Sequence, residues 1–211
     1  MGQRYAFVVV GVIFFCLLFS AGLRATPSVL LDPLQASFGW SRSAISLAAA
    51  IGIFFYGMVG PFAAAAMDHF GLRRVLLTAL VVMAASSAAS AYMTQTWHLI
   101  ALWGVFSGIG SGAVATVLGA TIASRWFLKH RGLAMGILTA STATGNLIFL
   151  PLLAALASSG DWTRAVWIVA AAMVVMVPLV WRLVPDSPAS AGLLPYGSNP
   201  DDPPAPAAPR T

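Results

Sequence analysis

Residues 64–74 read Ala64-Ala65-Ala66-Met67-Asp68-His69-Phe70-Gly71-Leu72-Arg73-Arg74. The polar residues here separate two long apolar runs, 43–67 and 75–93. So short a connection makes the two runs antiparallel neighbours. Gly71 suits a tight turn that needs positive φ. Asp68 is expected to accept from backbone N–H groups at the start of the next helix, or to pair with a nearby arginine. Arg73 and Arg74 mark the turn as one on the positive side of a membrane.

Working outward, the same pattern recurs. A bilayer core of about 30 Å needs about 20 apolar residues as helix. Six runs of that length occur, at 6–31, 43–67, 75–93, 98–124, 133–157 and 164–184. The chain has 211 residues, of which 59% are hydrophobic and 8% charged. Soluble domains carry about 25% charged residues, so a water-soluble globule is excluded. Cys16 has no second cysteine to join, which excludes a disulfide scaffold. The net charge of +5 sits in short clusters between apolar runs, a topology signal rather than a nucleic-acid face.

The expected fold is therefore all-α and membrane-embedded: one six-helix bundle over 1–184, followed by a Pro-rich cytoplasmic linker or tail over 185–211. The first run, with Arg4 before it and Phe19-Ser20-Ala21 within it, has features of a secretory signal, but it is too long for a cleaved one and reads as a signal anchor. Lysine and arginine counts orient the bundle. Arg4, Arg73, Arg74, Arg125, Lys129, Arg131, Arg182 and Arg210 fall on one side, and only Arg42 and Arg164 on the other. Both termini are thus expected in the cytoplasm. Tyr5, Trp126 and Trp181 near inner ends, and Trp40, Tyr92, Trp97 and Trp162 near outer ends, suit headgroup layers.

Several residues are costly inside lipid. Arg24 lies about 27 Å along the first helix from Ala6. It either snorkels to the outer headgroups or lines a water-filled cavity, where it would attract an anion. Thr139, Thr142 and Asn146 share one face of the fifth run, suited to interhelical hydrogen bonds or to a substrate path. Pro151 one turn on predicts a kink. Tyr56 sits mid-way along the second run and needs a partner for its hydroxyl; Gly60-Pro61 beyond it predicts a bend. Gly104, Gly108 and Gly112 share a face of the fourth run and allow close helix packing.

The 64–74 stretch resembles the signature between the second and third helices of major facilitator superfamily transporters, G-x-x-x-D-[RK]-x-G-[RK]-[RK]. It departs at Ala64 and His69. The resemblance implies a cytoplasmic-gate role for Asp68, Gly71, Arg73 and Arg74. Phe38-Gly39-Trp40-Ser41-Arg42-Ser43-Ala44-Ile45-Ser46, Tyr56-Gly57-Met58-Val59-Gly60-Pro61, the run from Arg125 to Gly136 and Leu194-Pro195-Tyr196-Gly197 resemble the monocarboxylate-porter and oxalate/formate-antiporter-like group. Gly104 stands where many drug and sugar antiporters carry an arginine, and no G-x-x-x-G-P-x-x-G-G run occurs in the fifth helix; both point away from multidrug export.

Such transporters consist of two six-helix halves, each of two inverted three-helix repeats, with the substrate between halves near the midplane. The chain has the length of the first half. It would pair with a copy of itself as a homodimer, pair with a separately encoded second half, or stand as a truncated, non-transporting membrane subunit. The expected function is secondary transport of a small organic anion such as a monocarboxylate, by alternating access in a bacterial inner membrane. An intramembrane serine protease does not fit. Gly108-Ile109-Gly110-Ser111-Gly112 lacks the spacing, and His69, His98 and His130 fall in or beside loops. The absence of a phosphate loop and of a Cys/His cluster leaves no cofactor or metal expected.

Overall fold

The computed structural model describes residues 2–158 and 161–198. Pro200, Asp201, Asp202 and Arg210 of the tail lie outside the described residues. Helix α1 (Gly2–Val29) is followed by a short α2 (Leu31–Phe38), then α3 (Arg42–Phe70) and α4 (Leu72–Ser90). A fourth span is assembled from α5 (Thr96–Leu99), a π-helical stretch (Ile100–Phe106), α6 (Ser107–Ala113) and α7 (Thr116–Trp126). Helices α8 (Arg131–Ser158) and α9 (Trp162–Leu183) complete the bundle. Six helical stretches are long and apolar enough to cross a membrane: Arg4–Val29, Arg42–Phe70, Leu72–Ser90, Thr96–Trp126, Arg131–Ala157 and Trp162–Leu183.

Local chemistry sets the ends. Ser41 caps α3, its Oγ accepting from the Ala44 N–H at 3.3 Å. Gly39 ends α2 in the left-handed region, φ 69°, with its N–H on the Gln35 carbonyl. Asp161 precedes α9, and its carboxyl is held below the usual range, first by the Thr163 hydroxyl and then by Arg164. That contribution is present above the ordinary carboxylate range and fades as pH falls.

The 67–74 turn is tighter than expected. Helix continues to Phe70 and resumes at Leu72, leaving only Gly71 outside, at φ 93°. Fully satisfied helical backbone is the better solution beside lipid, so a single glycine makes the reversal. Pro151 and Pro61 lie within continuous helices α8 and α3.

Helix α1 packs on α8, α3 packs on the π stretch and α6, and α4 packs on α9. Exchanging spans 1–3 with 4–6 turns the first pair into the second and the third into itself, as inverted three-helix repeats require. Small residues let two of these pairs approach. A Cβ on Gly145 would stand 2.5 Å from the Leu18 carbonyl, and one on Gly108 would stand 2.7 Å from the Gly52 carbonyl. Between α4 and α9 the Ser87 hydroxyl donates to the Val166 carbonyl at 2.8 Å.

Burial is uneven. In the most apolar stretch of α1, 67% of residues are buried, against 17% in α3 and 28% in α8. Helices α3 and α8 thus leave one side of the bundle open.

The basic ends of the helices gather at one end of the bundle, where the Tyr5 hydroxyl donates to the Leu183 carbonyl at 3.1 Å. Trp126, expected in a headgroup layer, is buried there against Tyr5 instead. The segment after α9 is not a free tail over its described length. Tyr196 donates its N–H to the Trp126 carbonyl at 2.8 Å and accepts from Leu128 N–H at 3.0 Å. Its ring packs edge-on to Phe7 at 5.1 Å. These contacts offset the ordering entropy that composition alone left uncovered. Tyr196→Ala should release this strap, seen as faster proteolytic nicking within 184–198 while the bundle stays intact; unchanged nicking would show that Tyr196 does not hold it.

Candidate functional site: a cavity on the open side

Alternation of lipid-facing and packed residues leaves a concavity where α1, α3, the fourth span and α8 diverge. It measures about 710 Å³ and lies in the half of the bundle remote from the basic end. Its apolar wall includes Leu23, Ile45, Ile53, Trp103 and Leu150. Its polar groups are Arg24, Tyr56 and Asn146 with the serines Ser28, Ser46, Ser107 and Ser111.

Arg24 is half-buried and faces this space. Its guanidinium stacks over the Tyr56 ring, 4.7 Å from the centroid, and one nitrogen donates to Ser20 Oγ at 3.3 Å. The ring of Tyr56, rather than its hydroxyl, is therefore what the cation meets. The described aspartates are engaged elsewhere. Asp32 pairs with Arg42, Asp68 with Arg125 and Asp161 with Arg164, while Asp186 accepts from the Arg73 N–H. No carboxylate lines the cavity among the described residues. Arg24 thus presents N–H donors to the pocket without a carboxylate counter-ion among the described residues, an arrangement suited to an anion.

The polar stripe on α8 divides. Asn146 reaches the cavity, whereas Thr139 and Thr142 do not line it. Both threonines lie one to two turns nearer the basic end of α8, past the floor of the cavity. Thr139 is exposed on the open side of the bundle and Thr142 half-buried. Gly104, Gly108 and Gly112 face α3, where Cβ atoms would meet Ala48, Gly52 and Tyr56 carbonyls at 3.2, 2.7 and 2.8 Å. Tyr56 therefore serves the cavity with its ring and the helix contact with its backbone.

At the basic end, Asp68 does not cap α4. Arg125 Nη2 donates to Asp68 Oδ1 at 2.5 Å, tying the ends of α3 and α7. The α4 N–H group falls to Asp186 instead, whose Oδ1 accepts from Arg73 N–H at 2.8 Å. Asp68 is still on the last turn of α3, where its carboxylate is taken by Arg125, and Asp186 from the strap accepts at the start of α4 in its stead. A Cβ on Gly71 would lie 2.7 Å from Asp186 Oδ1, so both space and φ require glycine there. Arg125 Nη1 also donates to the Asp186 carbonyl at 3.2 Å, and Arg73 Nη2 to the Trp181 carbonyl. The Arg74 side chain is exposed and joins none of this. The sequence reading missed Asp186, one of only six acidic residues in the chain, placed directly after the last span. That scarcity was the available signal.

Asp68 is mostly exposed, so its ion pair should contribute little to stability, roughly 0–1 kcal/mol. Asp68→Asn should leave melting nearly unchanged while raising water access to the ends of α3 and α7. The exchange Asp68→Arg with Arg125→Asp should restore protection; failure of the exchange to do so would dissociate the pair from closure.

A sequence model of the Major Facilitator Superfamily matches residues 13–207. The chain belongs to the Major Facilitator Superfamily. It is 29% identical over 173 residues to the uncharacterised MFS-type transporter YcxA of Bacillus subtilis, covering 80% of this chain and 42% of that protein. It is 33% identical over 148 residues to an MFS-type transporter of Gibberella zeae, covering 68% and 33% respectively. It is 30% identical over 146 residues to human monocarboxylate transporter 14, covering 69% and 27%. The chain thus spans less than half the length of these relatives. Among solved structures it resembles the proton:xylose symporter XylE, with a TM-score of 0.76 at 18% identity over 89% of this chain and 46% of that one. A bacterial homologue of the human lysosomal transporter Spinster gives 0.70 at 17% identity, over 95% and 47%. At these identities the structures establish the MFS fold. The chain is a multi-pass membrane protein, and its relatives are transporters rather than enzymes.

Proposed function

We propose that this MFS bundle forms one half of a secondary transporter for small organic anions, monocarboxylates among them, working by alternating access. The observation that carries this reading is Arg24: a lone cation facing a cavity whose described lining holds no carboxylate. One cation among mainly apolar walls favours a monoanion with an apolar body over a polyanion or a neutral sugar. Likeness to monocarboxylate transporter 14 supports the same substrate class.

The open side formed by α3 and α8 takes a second six-helix bundle, supplied by the same polypeptide, by another, or by a second copy of this chain. Substrate then sits between bundles, with Tyr56 and Asn146 beside Arg24. Thr139 and Thr142, on the same open side, line the path towards the basic end. The basic end faces the cytoplasm of a bacterial cell, where Asp68, Gly71 and Arg73, joined by Arg125 and Asp186, form the inner gate, and the exposed Arg74 stands beside it. No carboxylate lines the cavity among the described residues, which favours coupling through exchange or through the second bundle.

The test is uptake by proteoliposomes holding both bundles. Labelled small monocarboxylates should enter saturably and compete with one another, while xylose should neither enter nor compete. Sugar uptake without carboxylate uptake would overturn the substrate class.

A further inference from the structure

Helices α4 and α9 lie on the side away from the cavity, to which neither contributes a residue. Their outer faces are therefore the membrane-facing edge of the bundle. On α4 the exposed residues run Arg74, Thr78, Val81, Ala85 and Ala89, three or four apart. On α9 the exposed stripe includes Trp167, Val174, Val175 and Leu179 and ends at Arg182. The helices are antiparallel, one starting at the basic end and the other finishing there, so Arg74 and Arg182 close two adjacent apolar stripes at one level. Arg73 joins the two ends. Its Nη2 donates to the Trp181 carbonyl and its guanidinium lies 5.4 Å from the centroid of the exposed Trp181 ring. Nε of Arg73 is buried without a partner. Neither Arg74 nor Arg182 has an acidic partner among the described residues: Asp68, the carboxylate nearest to Arg74 in sequence, pairs with Arg125, and Asp186, the nearest to Arg182, accepts from the Arg73 backbone.

We infer that the α4–α9 junction is a seat for an anionic phospholipid, its phosphate held between Arg74 and Arg182 beside Trp181 and its acyl chains lying along the two stripes. The chemistry fits on three counts. Two guanidiniums without an acidic partner among the described residues are complementary to a phosphate. An exposed indole at the end of an apolar stripe belongs at the headgroup boundary. Basic pockets between helices on the positive side of a membrane protein collect acidic headgroups. The adjoining apolar stripes select a lipid over free inorganic phosphate, which would leave them uncovered.

Trp181 supplies the readout. The full chain is placed in vesicles containing either brominated phosphatidylglycerol or brominated phosphatidylcholine at equal mole fraction. The Trp181 signal is the difference between the chain and its W181F variant, the latter checked for an unchanged helical circular dichroism spectrum. Phosphatidylglycerol should quench that signal roughly threefold more strongly than phosphatidylcholine. R74Q/R182Q should bring the two lipids level, while K129Q, on the other basic turn, should preserve the preference. Equal quenching of the unmodified chain, or a preference that survives R74Q/R182Q, would overturn the assignment. Should W181F fail to fold, native mass spectrometry of the unmodified chain and R74Q/R182Q decides the point. Retained phosphatidylglycerol should fall in the double variant, and equal retention would overturn the assignment.

Discussion

On the proposed function, Arg24→Ala should abolish saturable uptake of carboxylates while the protein still inserts and remains monodisperse. A charge-assisted hydrogen bond contributes roughly 1.5–3 kcal/mol, and more where water is excluded. Loss of the one cation in the cavity's described lining should therefore cost at least about tenfold to a hundredfold in affinity. Folding should suffer little, because the Arg24 head group makes one hydrogen bond, to Ser20, and one ring contact, to Tyr56. Arg24→Lys should recover part of the loss, since it keeps charge but gives up the planar stack on Tyr56 and the two-pronged geometry. Tyr56→Phe should be milder than Tyr56→Leu, because the ring face and not the hydroxyl meets the guanidinium. Uptake by Arg24→Ala at the original rate and KM would remove Arg24 from the site.

Gly108→Val is the second large effect, and it falls on the fold. The added Cβ would lie 2.7 Å from the Gly52 carbonyl and 2.9 Å from Phe55 Cβ. The first obstacle is backbone, so rotamer changes cannot relieve it and α3 must separate from the fourth span. Overpacking a core costs about 1–3 kcal/mol where side chains can yield, and the cost here should lie at or beyond the top of that range. Loss of the monodisperse species in detergent, or a melting temperature lowered by several degrees, is expected. Gly57→Ala and Gly136→Ala are the matched controls, since neither Cβ would meet anything within 4 Å. A Gly108→Val protein as stable as these controls would show that the glycines of the fourth span are not the contact surface.

The bundle was legible because lipid leaves few solutions: six long apolar runs must be helices, and an even number returns the chain to its starting side. The stripe Gly104, Gly108 and Gly112 also announced itself, since spacing of four puts small residues on one face. Gly145 and Gly22, which bring α1 and α8 together, lacked such a spacing and went unread, although Cβ atoms there would meet Leu18 and Phe149 at 2.5 and 2.6 Å. At the cavity, Arg24, Tyr56 and Asn146 come from three separate runs, and each stood out as a polar group costly to hold in lipid. Their meeting point depends on how α1, α3 and α8 lean, which periodicity does not encode. Thr139 and Thr142 share the face of Asn146 but lie one to two turns away along α8, so a shared face does not by itself bring all three to the cavity. The gate shows the complementary failure. Asp68 and Gly71 were found by local pattern, whereas their partners Arg125 and Asp186 lie 57 residues or more away along the chain.

The most direct test is the water access and charge of the cavity in the reconstituted chain. Native Cys16 is fully buried and does not compete for reagent. Asn146→Cys and, as the lipid-facing reference, Val175→Cys are treated with anionic and cationic methanethiosulfonates of similar size. Asn146→Cys should react at least about tenfold faster than Val175→Cys, with the anionic reagent favoured and the preference lost on adding Arg24→Gln. Labelling at Asn146→Cys as slow as at Val175→Cys, or indifferent to reagent charge with Arg24 in place, would contradict a water-filled, anion-attracting cavity.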